Sequence, residues 1–124
     1  MVLGVGTDIL NIQRIRDILD GGSDVFVPQV FTIKEQEEAT GHLDSVSYYA
    51  TRFAGKEAVF KCFGIDSSGI RLTEIEILGS EVGQPQVTLS GKVKEMAVQK
   101  GVKDVRISLS YEMEYAVAFA IAQD

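Results

Sequence analysis

A long helical segment with a carboxylate on its apolar side constrains this chain more than any other feature. Residues 45–64, SVSYYATRFAGKEAVFKCFG, place apolar side chains at helical spacing and predict one helix that ends at Phe63. Glu57 falls on this apolar face, and Lys61 follows one turn later. Because an ionised carboxylate is costly on a core-facing stripe, we expect a cation, a metal ion or strong donors beside Glu57. The alternative is that Glu57 only pairs with Lys61 or Lys56 on a partly wet helix face.

Length and charge narrow the class of protein. The 124 residues suit a single domain, 1–124, and the 45% hydrophobic and 24% charged residues are typical of a globular protein. The formal net charge of −6 argues against a general nucleic-acid-binding role, which needs a basic surface. No apolar run approaches the roughly 20 residues of a membrane span, and the N-terminus does not resemble a signal peptide. The single cysteine, Cys62, cannot form an internal disulfide, which fits a reducing cytoplasm.

The order of predicted elements indicates an α+β domain. A segment with Pro28, residues 25–31, is expected to be irregular or a short helical turn, and Thr32 with Glu35 forms a capping-box pattern. The order β-α-α-α-β-β-α-β-β predicts a mostly antiparallel sheet with the long helix packed on it. The predicted strands are 2–6, 72–78, 86–89, 106–110 and 115–122, and the predicted helices are 9–19, 32–40, 45–63 and 90–100.

The first strand ends in the pattern G-x-G-x-D, which places Asp8 at or just past the strand end. Ile9 stands where a dinucleotide-binding fingerprint requires its third glycine, so that site is not expected. By itself, Asp8 is more typical of a helix N-cap than of a ligand. Together, however, Asp8 and Glu57 are a natural clamp for Mg²⁺, with Lys61 and Lys56 placed to meet phosphate.

Other catalytic patterns are weak in this sequence. The single histidine, His42, lies in a polar segment, so a zinc site and a Ser-His-Asp triad are not expected. No G-x-x-x-x-G-K-[ST] sequence occurs, which argues against P-loop nucleotide hydrolysis.

Four short motifs follow the pattern of one family. GVGTDIL at 4–10 looks like G-[IV]-G-x-D-[IL], and RFAGKEAVFKCFG at 52–64 looks like R-[FW]-A-x-K-E-A-x-x-K-A-[FL]-G. GQP at 83–85 is similar to G-K-P, and SLSYEMEYA at 108–116 is similar to S-[IL]-S-H-x-x-x-Y-A. On these motifs the chain resembles, over nearly its whole length, the holo-acyl-carrier-protein synthases, which are the small bacterial type of 4′-phosphopantetheinyl transferase.

The resemblance implies a transferase of fatty acid biosynthesis. Such enzymes move the 4′-phosphopantetheine arm of coenzyme A to a serine of an apo acyl carrier protein and release adenosine 3′,5′-bisphosphate. It implies that Asp8 and Glu57 hold Mg²⁺, and that Lys61 contacts the diphosphate and helps the leaving group depart. Glu57 is also our candidate for the proton acceptor, directly or through a metal-bound water. Relatives of this small type form trimers with the pocket between subunits, so we expect a homotrimer.

The resemblance also assigns the remaining binding residues. Arg14, on the first helix, matches a basic residue that meets the acidic carrier protein. The predicted coenzyme-binding residues are Asp8, Arg52, Lys56, Lys61, Gly64, Pro85 and Tyr111.

Two positions depart from the family pattern. Tyr111 stands where histidine is usual, on the 3′-phosphate side of the coenzyme, and Gln84 stands where lysine is usual. Both changes remove a positive charge, so we expect weaker coenzyme binding or a substitute cation such as Arg106 or Lys103. Tyr111 is equally compatible with an ordinary residue at the end of a hairpin.

Two other functions stay open from the residues alone. One is a non-catalytic module that binds carrier proteins or nucleotides, which the loss of the histidine at Tyr111 favours. The other is a Mg²⁺-dependent nucleotide or pyrophosphate hydrolase. The set Asp8, Glu57 and Lys61 argues against the binding module, which does not need it. The hydrolase would share the metal site but would require an ordered attacking water, and no extra carboxylate cluster indicates one.

Overall fold

The computed structural model describes residues 1–22, 24–65, 69–79 and 84–124. Strands and helices follow the predicted order, with one additional short helix, and the α+β prediction is confirmed. The elements are β1 Val2–Asn11, α1 Ile12–Asp20, α2 Phe26–Val30, α3 Ile33–Thr40, α4 Ser45–Phe63, β2 Ile75–Leu78, β3 Gln86–Leu89, α5 Gly91–Gln99, β4 Asp104–Glu112 and β5 Tyr115–Gln123.

The five strands form one antiparallel sheet in the order β1-β5-β4-β3-β2. Strand β5 pairs along its whole length with β1 on one side and β4 on the other. Among the described residues, β3 pairs with β4 at Gln86, which faces Arg106. Within the residues that the structure describes, no helix is long and apolar enough to cross a membrane.

Helix α4 forms the centre of the core. It packs on β1 and β5, and the residues that β5 turns toward it are all alanines, which let the helix lie close to the sheet. Gly55 is needed for the same reason, because a Cβ there would lie 2.7 Å from Ile77 and 3.0 Å from Ile107. The buried β5 alanines are Ala116, Ala118, Ala120 and Ala122.

Two predicted boundaries are wrong at the N-terminal end. Strand β1 continues to Asn11 instead of ending at Gly6, because residues 7–11 pair with β5. Helix α1 consequently begins at Ile12 instead of Ile9.

The capping box at Thr32 is confirmed, and so are both ends of the long helix. Thr32 Oγ1 accepts from the Glu35 amide, and Glu35 Oε1 accepts from the Thr32 amide. Gly64 ends α4 in the left-handed conformation, with φ of 66°.

The second half of the chain also differs from the prediction in detail. The predicted strand 72–78 starts with a 3₁₀ turn, Leu72–Glu74. Ser90 precedes α5 but makes no side-chain cap, because the Glu74 carboxylate accepts from the Lys92 amide instead. The segments that connect α4 to β2 and β2 to β3 lie partly outside the described residues, at 66–68 and 80–83.

The face of the sheet that points away from α4 is apolar and exposed in a single chain. It carries residues from the neighbouring strands β1 and β5, and none of the described helices covers it. Its exposed side chains are Leu3, Val5, Ile9, Tyr115, Val117 and Phe119.

Candidate active site

Glycines on β1 allow the backbone of helix α4 to come into direct contact with the backbone of this strand. A Cβ built at Gly4 would overlap the carbonyl oxygen of Cys62, and one at Gly6 would overlap that of Ala58. Any larger residue would therefore push strand and helix apart. Asp8 follows on the same side of the strand, because alternate residues share a face, so this close packing brings Asp8 to the helix.

Asp8 lies within β1 and does not begin a helix. It pairs with Ala118 of β5. The residue that caps α1 is Asn11, whose Oδ1 accepts from the Gln13 amide at 2.9 Å. The helix-cap alternative for Asp8 is therefore wrong, and its carboxylate faces α4.

Lys61 connects the last turn of α4 to β1. Its Nζ donates to the carbonyl oxygen of Thr7 at 3.0 Å and lies 3.2 Å from Asp8 Oδ1. The Lys61 side chain is 55% exposed and the Asp8 side chain 18% exposed, so this ion pair opens to solvent. With two of its three donors engaged by the described residues, the ammonium retains one donor for an incoming anion.

Glu57 belongs to the same group of charges. Burial raises the pKa of its carboxyl, the nearby Asp8 carboxylate raises it further, and Lys61 lowers it. The Asp8 carboxylate therefore lies near enough to act on the charge of Glu57, although the two residues are far apart in the sequence. The side chain is only partly buried, so a ligand can reach it.

Asp8 and Glu57 suit a divalent cation that arrives with phosphate. Within 1–22, 24–65, 69–79 and 84–124 no group of three or more His, Cys, Asp or Glu side chains could hold a metal ion. Mg²⁺ usually takes only one or two carboxylates and completes its shell with water and substrate phosphate oxygens. The Asp8 and Glu57 carboxylates therefore fit Mg²⁺, because a dication between them would relieve the repulsion that raises the pKa of Glu57.

Lys56, the neighbour of Glu57, lies in the interior and not in the site. Its fully buried Nζ donates to Glu35 Oε1 at 2.8 Å, to the Ile75 carbonyl at 2.6 Å and to the Leu72 carbonyl at 3.0 Å. Burial lowers the pKa of Lys56, and the Glu35 carboxylate opposes this effect. With all three donors in use, Lys56 cannot contact a coenzyme phosphate, so the predicted contact is wrong. The alternative that Lys56 pairs with Glu57 is also wrong.

A second candidate feature is a cleft on another side of α4, with Arg52 at its centre. The Arg52 guanidinium stacks over the Tyr48 ring at 4.0 Å, and its Nη2 lies 3.7 Å from Glu38 Oε1. The Tyr48 hydroxyl donates to the same Glu38 oxygen at 2.8 Å. Among the described residues, Arg52 Nε is the one buried side-chain polar atom that lacks a partner. The cleft has a volume of about 410 Å³, and its walls are Glu37, Glu38, Gly41, His42, Tyr48, Thr51, Arg52, Gly79, Pro85, Leu109 and Tyr111.

The remaining predicted coenzyme residues fall into two places. Pro85 and Tyr111 line the Arg52 cleft, whereas Gly64 lies beyond Lys61 at the end of α4. Gln84 lies beside Pro85, and Gly83 of the GQP motif is outside the described residues. Tyr111 is 47% exposed near the end of β4, so its hydroxyl is open to a ligand.

The two candidate features lie on opposite flanks of α4. Asp8, Ala118 and Leu109 form one row across β1, β5 and β4, so Asp8 and Leu109 are about 10 Å apart beneath the helix. Along α4, Arg52 and Lys61 are nine residues apart and point about 180° away from each other. A single chain therefore presents the acid pair and the Arg52 cleft to different sides.

Arg14 stands apart from both features. It is exposed on α1, where a protein partner could contact it. The sequence reasoning missed Glu38, Tyr48 and His42 as cleft residues. The spacing of Tyr48 and Arg52, one helical turn apart, is the signal that could have indicated a stacked pair.

Known proteins agree with this chain over its whole length. A family model described as the 4′-phosphopantetheinyl transferase superfamily matches residues 4–120. The holo-[acyl-carrier-protein] synthase of Caldanaerobacter subterraneus subsp. tengcongensis is 38% identical over 98% of this chain and 95% of the relative.

Solved structures give the same result. The holo-[acyl-carrier-protein] synthase of Neisseria meningitidis has a TM-score of 0.90 at 29% identity, covering 100% of both chains. A holo-(acyl-carrier-protein) synthase from Bacillus anthracis in complex with CoA (3′,5′-ADP) has a TM-score of 0.78 at 28% identity, covering 98% of this chain and 96% of that one. The resemblance of the motifs is confirmed, and the chain belongs to the 4′-phosphopantetheinyl transferase superfamily, among the holo-acyl-carrier-protein synthases.

Proposed function

We propose that this chain, as one catalytic domain, transfers the 4′-phosphopantetheine group of coenzyme A to a serine of an apo acyl carrier protein. The other product is adenosine 3′,5′-bisphosphate. The observation that carries the proposal is the group Asp8, Glu57 and Lys61, gathered from β1 and α4 in a member of this family. The relative from Bacillus anthracis in complex with CoA (3′,5′-ADP) supports coenzyme A as the donor.

Asp8 and Glu57 would hold Mg²⁺ at the coenzyme diphosphate. Both residues offer carboxylate oxygens on the partly open flank of α4, which is the ligand type that Mg²⁺ prefers. Mg²⁺, when bound there, would neutralise charge that develops on the diphosphate oxygens.

Lys61 and Glu57 would serve the reaction itself. The serine oxygen forms a bond to the phosphorus that carries the pantetheine arm, and the bond from that phosphorus to the bridging diphosphate oxygen breaks. Lys61 donates to the departing phosphate, because its ammonium is partly exposed and keeps a donor. Glu57 would accept the serine proton directly or through a water molecule, since the same carboxylate is also proposed to hold Mg²⁺; the upward shift of its pKa supports this role.

The coenzyme's nucleoside end would occupy the Arg52 cleft. Aromatic side chains and a guanidinium with an unpartnered N–H suit a base, a ribose and an anionic group. Pro85 and Tyr111 would contact the nucleoside there, and Gly64 would lie near the diphosphate beside Lys61. Lys56 is left out of this assignment, since its donors are used in the interior.

One coenzyme molecule that touches both flanks would need two copies of the chain. The acid pair of one copy and the Arg52 cleft of the next would then form a single site. The exposed apolar sheet face supports such an assembly, because Val5, Ile9 and Phe119 are 56%, 66% and 45% exposed in an isolated chain. We propose a homotrimer with the site between subunits.

The carrier protein would dock at α1 and present its serine to the site. Arg14 would attract the acidic carrier, since it is exposed and carries a permanent charge. The reaction would serve fatty acid biosynthesis in the cytoplasm, where a chain with one cysteine needs no disulfide.

A mass measurement tests the proposal. Purified protein is incubated with coenzyme A, Mg²⁺ and an apo acyl carrier protein, and the intact carrier is weighed. A gain of about 340 Da on the single nucleophilic serine supports transfer. Free 3′,5′-ADP without a heavier carrier indicates hydrolysis, and binding without any product indicates a non-catalytic module; both contradict the proposal.

A further inference from the structure

The Arg52 cleft holds more negative than positive charge. Among its described walls, Glu37 and Glu38 carry carboxylates, and Arg52 carries the one permanent positive charge. An anionic group that enters this cleft would therefore meet more negative than positive charge.

Arg52 is largely committed to its neighbours. Its Nη2 faces Glu38 at 3.7 Å, its Nη1 donates to Thr51 Oγ1 at 3.3 Å, and its plane lies on the Tyr48 ring. Its Nε is buried and lacks a hydrogen-bond partner among the described residues. Strong phosphate recognition by arginine uses two parallel N–H groups, so a guanidinium held in this way is better suited to one hydrogen bond.

The glutamates of the cleft fit hydroxyl groups better than phosphate. A carboxylate accepts hydrogen bonds and cannot donate them when ionised. In other nucleotide sites an acidic side chain binds a free ribose hydroxyl, whereas an arginine accommodates a ribose phosphate. Glu37 is exposed on the cleft wall and is available for such a hydroxyl.

We infer that Glu37 and Glu38 make this site nearly indifferent to the 3′-phosphate of the donor, so that 3′-dephospho-coenzyme A is a substrate alongside coenzyme A. This inference rests on the proposed function. The diphosphate and the pantetheine arm, which take part in the reaction, are the same in both donors. The ribose 3′ position, which differs, gains little from a phosphate beside two carboxylates and one committed arginine.

The test compares the two donors with one apo carrier protein and Mg²⁺, by intact mass and initial rates. A kcat/KM for 3′-dephospho-coenzyme A within about tenfold of that for coenzyme A is expected. A preference for coenzyme A above tenfold, the effect of about one charge-assisted hydrogen bond, overturns the inference and leaves the proposed function standing. Transfer from neither donor contradicts the proposed function, and the inference then fails with it.

A charge reversal on the cleft wall locates the effect. Glu37→Lys should lower the KM for coenzyme A and raise its kcat/KM preference over the dephospho donor by about fivefold, through a new ion pair with the 3′-phosphate. Glu95→Lys, the same change at an exposed position of α5, should leave the preference unchanged. An unchanged preference in Glu37→Lys, or an equal rise in both variants, would overturn the role of the cleft.

Discussion

The Nζ of Lys56 lies 2.8 Å from Oε1 of Glu35, and both side chains are fully buried. The other Glu35 oxygen accepts from the Ile77 amide at 2.9 Å. One ion pair thus joins α3, α4 and β2. Because α3 also carries Glu38, this pair fixes one wall of the Arg52 cleft relative to α4.

Lys56→Met should destabilise the protein by about 3–5 kcal/mol, because it leaves the Glu35 carboxylate buried without its cation. The measurement is the free energy of unfolding in urea at neutral pH. Adding Glu35→Gln should recover part of the loss, since the double variant buries no charge. A single variant within about 1 kcal/mol of the original protein would contradict the buried pair.

Gly6→Ala should destabilise the fold and reduce transfer together. The new methyl group would overlap the Ala58 carbonyl, so β1 has to move away from α4 and takes Asp8 with it. We expect a loss of about 1–3 kcal/mol, measured by urea unfolding, and a lower kcat at saturating Mg²⁺. Gly41→Ala is the control for stability, because its nearest neighbour would be 3.7 Å away. Equal stability of the two variants would argue against the close approach.

Glu57→Gln should separate activity from stability. Transfer should fall by about 10²-fold or more at pH 7, through loss of a metal ligand and proton acceptor. The fold should be as stable or more stable, because the pKa of Glu57 is raised in the native state, so its ionised form opposes folding.

The sign of the pH dependence follows from that raised pKa. The unfavourable contribution is complete above the folded-state pKa and disappears as the pH falls toward the ordinary value of 4.5. The difference in unfolding free energy between Glu57→Gln and the original protein, measured without metal, should therefore shrink as the pH falls. The control variant Glu95→Gln should show no such trend. The free energy of unfolding of Glu57→Gln minus that of the original protein, both without metal, should be larger at pH 7 than at pH 4.5. A smaller difference at pH 7 would contradict the raised pKa of Glu57.

Phe119→Asp should break the assembly. A charge on the apolar sheet face would be buried between subunits, so the variant should elute as a monomer in size exclusion with light scattering. Transfer should fall with it, because the acid pair and the Arg52 cleft would no longer face each other. Val98→Asp, at a position that is 65% exposed on α5, should change neither property. A Phe119→Asp protein with unchanged mass and rate would refute the shared site.

The long helix could be predicted from sequence because its signals are local. Apolar spacing defines α4, and the left-handed Gly64 ends it where expected. The capping box at Thr32 was equally visible, since both partners lie within four residues. The hairpin of β4 and β5 could be predicted because two β-capable segments lie close together in the sequence, and the structure pairs them.

The errors came from contacts between distant segments. The apolar spacing predicted a helix start at Ile9, yet five ladder pairs with β5 keep residues 7–11 in β1. The apolar pattern of α4 also singled out Glu57, whereas the fully buried charge is its neighbour Lys56. The burial of Lys56 could not be predicted from the sequence, because its partner Glu35 is 21 residues away and has the pattern of an ordinary helix-capping residue.

The most direct test of the central claim is the transfer rate as a function of Mg²⁺ for the original protein, Asp8→Asn and Glu57→Gln. The original protein should add about 340 Da to the carrier only when Mg²⁺ is present. Each variant should lose most of that activity or need much more Mg²⁺. Equal rates and equal Mg²⁺ dependence in all three proteins would contradict the claim that these two carboxylates share the ion.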